Sequence, residues 1–155
     1  MKLLAILRNW DEAWYAEMTK NMAGGHGLVM PYWNGQYYFD HPPLYFWLEQ
    51  IPVRLFGIGE WQVRAVAIGA AIGVVWLTYL LAKRWFGQRV GVVAIGVLVT
   101  LGQVVVRLGH GNLESLVMML SLLTIYAYLL GKWWVAGVSL GLGFLTKGWL
   151  LGMLP

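Results

Sequence analysis

Ala65-Val66-Ala67-Ile68-Gly69-Ala70-Ala71-Ile72-Gly73-Val74-Val75-Trp76-Leu77-Thr78-Tyr79-Leu80-Leu81-Ala82 is an unbroken run of 18 uncharged residues, bounded by Arg64 and Lys83. A helix needs about 17–25 mostly apolar residues to cross the hydrocarbon core of a bilayer. The run therefore predicts a transmembrane helix over 65–82. The same ruler finds more. Arg89 and Arg107 enclose 17 uncharged residues, Val90 to Val106, and Glu114 and Lys132 enclose another 17, Ser115 to Gly131. Trp133 to Thr146 adds 14 before Lys147. It makes a fourth span over 133–150 if Lys147 snorkels or faces protein.

Composition agrees with a bilayer as solvent. Apolar residues make up 59% of the 155 and charged residues 12%, with a mean hydropathy of +0.63. The net charge of +4 comes without the dense Lys/Arg runs of a nucleic-acid binder. There is no Cys, which excludes disulfides and thiolate-held metals. The expected fold is an all-α integral membrane protein of about four transmembrane helices and two amphipathic juxtamembrane helices. Glycines and alanines within the spans (Gly69, Gly73, Gly91, Gly96, Gly137, Gly141) suit close helix packing in lipid. Lys83, Arg84, Arg89 and Lys132 fall on one side of the spans, and Arg64, Arg107 and Lys147 on the other. By the excess of cations in cytoplasmic loops, this bias places residues 1–64 outside as an extracytoplasmic segment. Residues 65–155 form the membrane part.

The acids are placed unevenly. Asp11, Glu12, Glu17, Asp40, Glu49 and Glu60 precede the first span, and Glu114 sits at the edge of the third. That distribution predicts a polar site on one membrane face. Around it, residues 10–61 hold 13 of the 23 aromatics. Trp14, Tyr15, Met18 and Met22 follow helical spacing, with Asn9 or Asp11 able to cap and Gly24-Gly25 able to end the helix. Asn34-Gly35 predicts a turn between aromatic flanks. Pro42-Pro43 opens a second amphipathic helix with Leu44, Leu48, Ile51 and Leu55 on one stripe, and Pro52 is expected to kink it. Charges at span edges rather than mid-span argue against a transporter.

Taken in order, the motifs resemble a family. Asp11-Glu12-Ala13-Trp14-Tyr15-Ala16-Glu17 is similar to the start of the first extracytoplasmic loop of GT-C fold polyprenyl-phosphate-sugar glycosyltransferases, the superfamily of protein mannosyltransferases and lipid A aminoarabinose transferases. Asn34-Gly35 with Tyr38-Phe39-Asp40-His41-Pro42-Pro43-Leu44, then Glu60-Trp61-Gln62-Val63-Arg64, then Leu145-Thr146-Lys147-Gly148, resemble its later elements. Members are several-fold longer, so the chain reads as an N-terminal part. A catalytically incomplete membrane fragment, or a non-enzymatic membrane subunit, is the alternative to an enzyme. Many members carry Lys where this chain has His41.

The resemblance implies sugar transfer from a polyprenyl-phosphate donor to a lipid, glycan or protein acceptor, at the outer face of a bacterial inner membrane. Such transfer passes through an oxocarbenium-like state and needs a base for the acceptor and positive charge for the leaving phosphate. Asp11 is the candidate base, supported by Glu12; the plain alternative for Asp11 is a helix cap. His41, Arg107 and Lys147 are candidates for the donor phosphate. Arg64 reads better as a snorkelling helix-end residue. Asp11 with Glu114 offers hard oxygen ligands to a divalent metal ion, against a capping role for Glu114. His26 and His110 read as loop residues.

Overall fold

The computed structural model describes residues 10–27, 29–101 and 110–148. Among these lie six helices and one hairpin: α1 (Trp10–Ala23), β1 (Tyr32–Trp33), β2 (Gln36–Tyr37), α2 (Leu44–Phe56), α3 (Glu60–Phe86), α4 (Gln88–Thr100), α5 (Glu114–Leu129) and α6 (Trp133–Lys147). α3 is the spine. It packs against α4, α5 and α2, while α5 also packs on α6 and α1 on α2.

α3 runs 27 residues, about 40 Å at the helical rise. Among the described residues it is the one helix both long and apolar enough to cross a membrane. It contains the predicted 65–82 span and overshoots it at both ends. α4, α5 and α6 are shorter, at 13, 16 and 15 residues. The last residues expected for the second span, 102–106, and those for the fourth, 149–150, lie outside the described residues. The helix ends agree with the pairing of charges read from the sequence. Arg84 Nη2 donates to the Leu129 carbonyl at 2.9 Å, so the Lys83–Arg89 turn and the Lys132 turn share one end. Arg64, Glu114 and Lys147 share the other.

Small residues pack helices at two places. A Cβ on Gly91 would lie 3.0 Å from the Tyr79 ring and 3.2 Å from its carbonyl oxygen, and one on Gly73 would meet Met119. Gly69, Gly96, Gly137 and Gly141 have open space around them instead. The expected role of glycine as a packing residue therefore applies to the α3–α4 and α3–α5 contacts and not to every span.

Of the predicted stripe α1 buries Tyr15, Met18 and Met22 and leaves Trp14 half-buried, and it adds Glu12, Ala16 and Thr19 to the buried face. Glu17 and Lys20 pair on its outer side at 3.1 Å. Asp11 stands in the first turn, one residue inside the helix. α2 inverts the soluble pattern. Its buried face is Tyr45, Phe46, Glu49, Gln50 and Val53, whereas Ile51 and Leu55 are 55% and 70% exposed. The Leu44–Leu55 stripe exists, but its C-terminal half points away from the protein. Such a helix suits a lipid-facing position, where the apolar side looks outward. The core formed by Tyr15, Met18, Met22, Tyr45 and Phe46 continues into Ala70, Leu113, Leu116 and Leu120, so the N-terminal third and the bundle share it.

The aromatic segment is a two-stranded hairpin in the register Tyr32↔Tyr37 and Trp33↔Gln36. Its turn is Asn34-Gly35, with φ of 50° and 84°. Two successive positive φ values are the hallmark of the turn that matches strand twist. Nothing lies within 4 Å of a Cβ built on Gly35, so a side chain there adds backbone strain alone. Gly35→Ala is expected to cost about 1–2 kcal/mol and Gly35→Asn much less, measured by thermal unfolding in detergent.

Candidate functional site

The site forms at the end of the bundle where four separate sequence elements converge. The first two turns of α1 bring Asp11, Glu12 and Tyr15. The segment before α2 brings Asp40 and His41. The loop before α5 brings His110 and Gly111, and the first residue of α5 is Glu114. The C-terminus of α6 brings Lys147 and Gly148. Gly148, at φ 79°, abuts Pro42, whose Cγ lies 3.9 Å from the Cβ position. This contact sets the Lys147-Gly148 turn directly against the His41-Pro42-Pro43 segment.

Beneath the site is a clamp. Glu12 is 1% exposed, and both its oxygens are engaged. Arg64 Nε donates to Oε1 at 2.5 Å and Arg64 Nη2 to Oε2 at 3.0 Å, a bidentate fork. The Gly111 amide also donates to Oε1, at 2.9 Å. Arg64 Nη1 binds Glu60 one turn earlier on α3. Burial pushes the Glu12 carboxyl up, but the Arg64 fork and the Gly111 amide outweigh it, so the group is held below the usual carboxylate range. The clamp thus ties α1, α3 and the 110–113 loop together. A side chain at Gly111 would press on Val63 Cγ1 (3.1 Å), the Val63 carbonyl (3.2 Å) and Glu12 Cγ (3.3 Å). Any Cβ there would have to push these neighbours back by a few tenths of an ångström, so glycine suits the close approach of the amide to Glu12. Arg64 is therefore an ion-pair partner, not the snorkelling residue its place at a span edge suggests.

Above the clamp lie the groups that reach the open side. Adjacent helical residues point about 100° apart, which is why Asp11 is exposed while Glu12 is buried. Asp11 and Glu114 both lie near enough to Tyr15 to disfavour its ionisation. With burial as the larger cause, they push its hydroxyl up to about 12. Tyr15 Oη and His41 Nε2 are 3.4 Å apart. The His41 ring is boxed by Trp14, Tyr15 and Tyr38 at centroid distances of 6.4, 5.8 and 5.9 Å. Burial, then the nearby Lys147 charge, lowers the His41 pKa against the opposing pull of Asp40 and Asp11. Lys147 Nζ lies 3.4 Å from Glu114 Oε1. His41 Nδ1 and Trp14 Nε1 are buried without a hydrogen-bond partner among the described residues.

Of the residues singled out in the sequence, Asp11, Glu12, His41, Glu114 and Lys147 are brought to one end. Arg107 lies outside the described residues. No group of three or more His, Asp or Glu side chains suited to a metal ion occurs among the described residues. Sequence reasoning missed the Arg64–Glu12–Gly111 clamp, whose partners are 52 and 99 residues apart. It also left Tyr15 as a mere core stripe and gave Glu49 no part. His26 stacks on Tyr32 at 5.9 Å, in keeping with a turn residue.

Fold and site together define a class: an α-helical integral membrane protein with a charged site at one end of its bundle. The chain belongs to the dolichyl-phosphate-mannose-protein mannosyltransferase family, whose pattern matches residues 40–155. It is 32% identical over 158 residues to undecaprenyl phosphate-alpha-4-amino-4-deoxy-L-arabinose arabinosyl transferase 1 of Pseudomonas fluorescens, covering 94% of this chain and 28% of that one. The transferase of the same description from Edwardsiella ictaluri is 27% identical over 157 residues, with the same shares. The fold matches crystal structures of ArnT from Cupriavidus metallidurans, apo and bound to undecaprenyl phosphate. Each has a TM-score of 0.79 and 26% identity, covering 95% of this chain and 29% of the other. The chain thus spans under a third of the length of these relatives. The resemblance to the N-terminal part of a GT-C glycosyltransferase, read from the motifs, is confirmed.

Proposed function

We propose that this chain supplies the acceptor-activating and donor-phosphate groups of a membrane glycosyltransferase that uses a polyprenyl-phosphate sugar. One observation carries it: Asp11, His41, Glu114 and Lys147, from four separate stretches of the chain, meet at one end of the bundle above a buried clamp. The family and the likeness to a structure bound to undecaprenyl phosphate support the same reading.

In this reading the acceptor nucleophile attacks the anomeric carbon while the bond to the phosphate oxygen breaks. Asp11, on the open side of α1, takes the acceptor proton or orients it. Glu12 acts through the clamp to fix that turn and does not meet substrate. Lys147 supplies positive charge to the leaving phosphate, and His41 supplies a ring N–H, with Arg107 the third candidate. A divalent cation held by Asp11 and Glu114 belongs to the proposal as well. The acceptor is a lipid, glycan or protein, and the site faces outward from a bacterial inner membrane. In this reading α4, α5 and α6 belong to the three further spans of four in 65–155, and α1 and α2 are the two juxtamembrane helices of 1–64.

Donor recognition is tested by titrating undecaprenyl phosphate into the chain in nanodiscs and following tryptophan fluorescence. Lys147→Met is expected to weaken binding by about tenfold or more, the loss of one charge-assisted contact. His41→Ala should weaken it less. Unchanged affinity in Lys147→Met would remove this residue from the donor site.

A further inference from the structure

Glu49 has no part in the site described above, yet its setting is unusual. It is fully buried at the α1–α2 contact, with one carboxyl oxygen bonded to the Thr19 hydroxyl of α1. Its other oxygen has no hydrogen-bond partner among the described residues, and neither does the hydroxyl of fully buried Tyr45. Tyr45 and Glu49 are four residues apart, so they share one face of α2. Tyr45 packs on Tyr15 at 6.1 Å between ring centroids, and Tyr15 contacts His41. The Glu49 carboxyl is thus the floor of a buried stack that leads up to the site.

Among the described residues no counter-charge is paired with this floor. The titratable groups facing Glu49 are Glu12 on α1 and Tyr45 on its own helix. The cations on adjoining elements are committed elsewhere: Arg64 to Glu12 and Glu60, Lys147 to Glu114, and Arg54 to the Met22 carbonyl at 3.5 Å. An ionised carboxylate here would be buried, unpaired and close to a second carboxylate, which is strongly unfavourable. A neutral carboxyl can instead hold Thr19 and direct its own proton at the unpartnered side.

We propose that Glu49 is a positioning residue held as the neutral acid, which with Thr19 and Tyr45 locks α1 onto α2 and so sets Asp11 and Tyr15 against His41. The lock is sensitive to pH. Burial, as the largest cause, and Glu12 raise the Glu49 pKa from an ordinary 4.5 to about 8, against the Thr19 hydrogen bond. For a raised carboxyl the folded chain keeps its proton longer than the unfolded chain. The stability that neutral Glu49 contributes is therefore complete below the ordinary carboxylate range. It is lost as pH rises to about 8, and the curve then flattens.

The test uses the whole 155-residue chain in detergent, with thermal unfolding followed from pH 5 to 9. Wild type is expected to lose on the order of 5–10 °C in Tm between pH 5 and 8. Glu49→Gln, which keeps the shape and the Thr19 contact without a titrating proton, should remove most of that loss. Thr19→Val, which deletes the bond that favours ionisation, should move the midpoint to higher pH. Infrared spectra at pH 6.5 should show a protonated-carboxyl C=O band that Glu49→Gln removes. A pH-dependent loss that persists in Glu49→Gln overturns the proposal, as does the absence of that band in wild type. Unfolding of Glu49→Gln at every pH also counts against it, because a neutral isostere should satisfy the lock. None of these readouts depends on sugar transfer.

Discussion

Arg64→Ala lowers stability by about 3–5 kcal/mol, the usual effect of removing one partner from a buried pair. The mutation leaves the Glu12 carboxylate buried and without its guanidinium fork, and the Gly111 amide that still donates to it does not replace that fork. Arg64→Lys should recover part of the loss, since a point charge supplies attraction without bidentate geometry. Glu12→Gln is expected to cost less, because Arg64 keeps Glu60. The double variant Glu12→Gln/Arg64→Ala should fall well short of the sum of the singles, a coupling that a double-mutant cycle reads directly. pH gives an independent check. Glu12 is held below the usual carboxylate range, so its contribution is present above that range and lost as pH falls through the depressed value. Arg64→Ala should blunt this acid sensitivity. A loss under about 1 kcal/mol would mean the pair behaves like a solvated surface bridge.

The clamp also shows where sequence reasoning stops. Arg64 ends one polar turn and begins an apolar run, and any basic residue in that place looks like a helix-end anchor. What distinguishes it is Glu12, 52 residues earlier, and no local pattern links the two. The hairpin was legible because Asn34-Gly35 dictates its own backbone: two positive φ values at a residue pair that tolerates them. The stripe on α2 was legible as a period but not as a direction. In water an apolar stripe turns inward; beside a bilayer it can turn outward, which leaves Glu49 and Gln50 buried. Span counting located α3 well because eighteen uncharged residues admit little else, whereas the residues that end the second and fourth expected spans, 102–106 and 149–150, lie outside the described ones. For the site, the order of spans put Asp11, His41, Glu114 and Lys147 on one face, and the structure brings them to one end. The pairing of Lys147 with Glu114 emerges only when α5 and α6 lie side by side.

Asp11→Asn is expected to reduce sugar transfer by about 10²–10⁴-fold, the range spanned by loss of a positioned general base. The assay follows labelled sugar moving from an undecaprenyl-phosphate donor, in membranes containing a full-length family protein that carries this segment. The change is close to isosteric and sits on an exposed first-turn position, so the fold should survive. Removing a negative charge from the first turn costs about 0.3–1 kcal/mol through the helix dipole, far less than the clamp variants. That contrast separates chemistry from structure. If Asp11 merely supported the helix, Asp11→Asn would show a slight stability loss with transfer intact. If it activates the acceptor, transfer collapses while Tm hardly moves and donor binding at Lys147 and His41 persists. Glu12→Gln should give the opposite signature, a clear stability loss accompanied by a transfer defect that follows it, because Glu12 is turned away from the open side and engaged by Arg64 and Gly111. Two adjacent carboxylates would then be assigned by opposite responses to the same substitution. An Asp11→Asn protein with wild-type transfer would end the assignment of Asp11 as base.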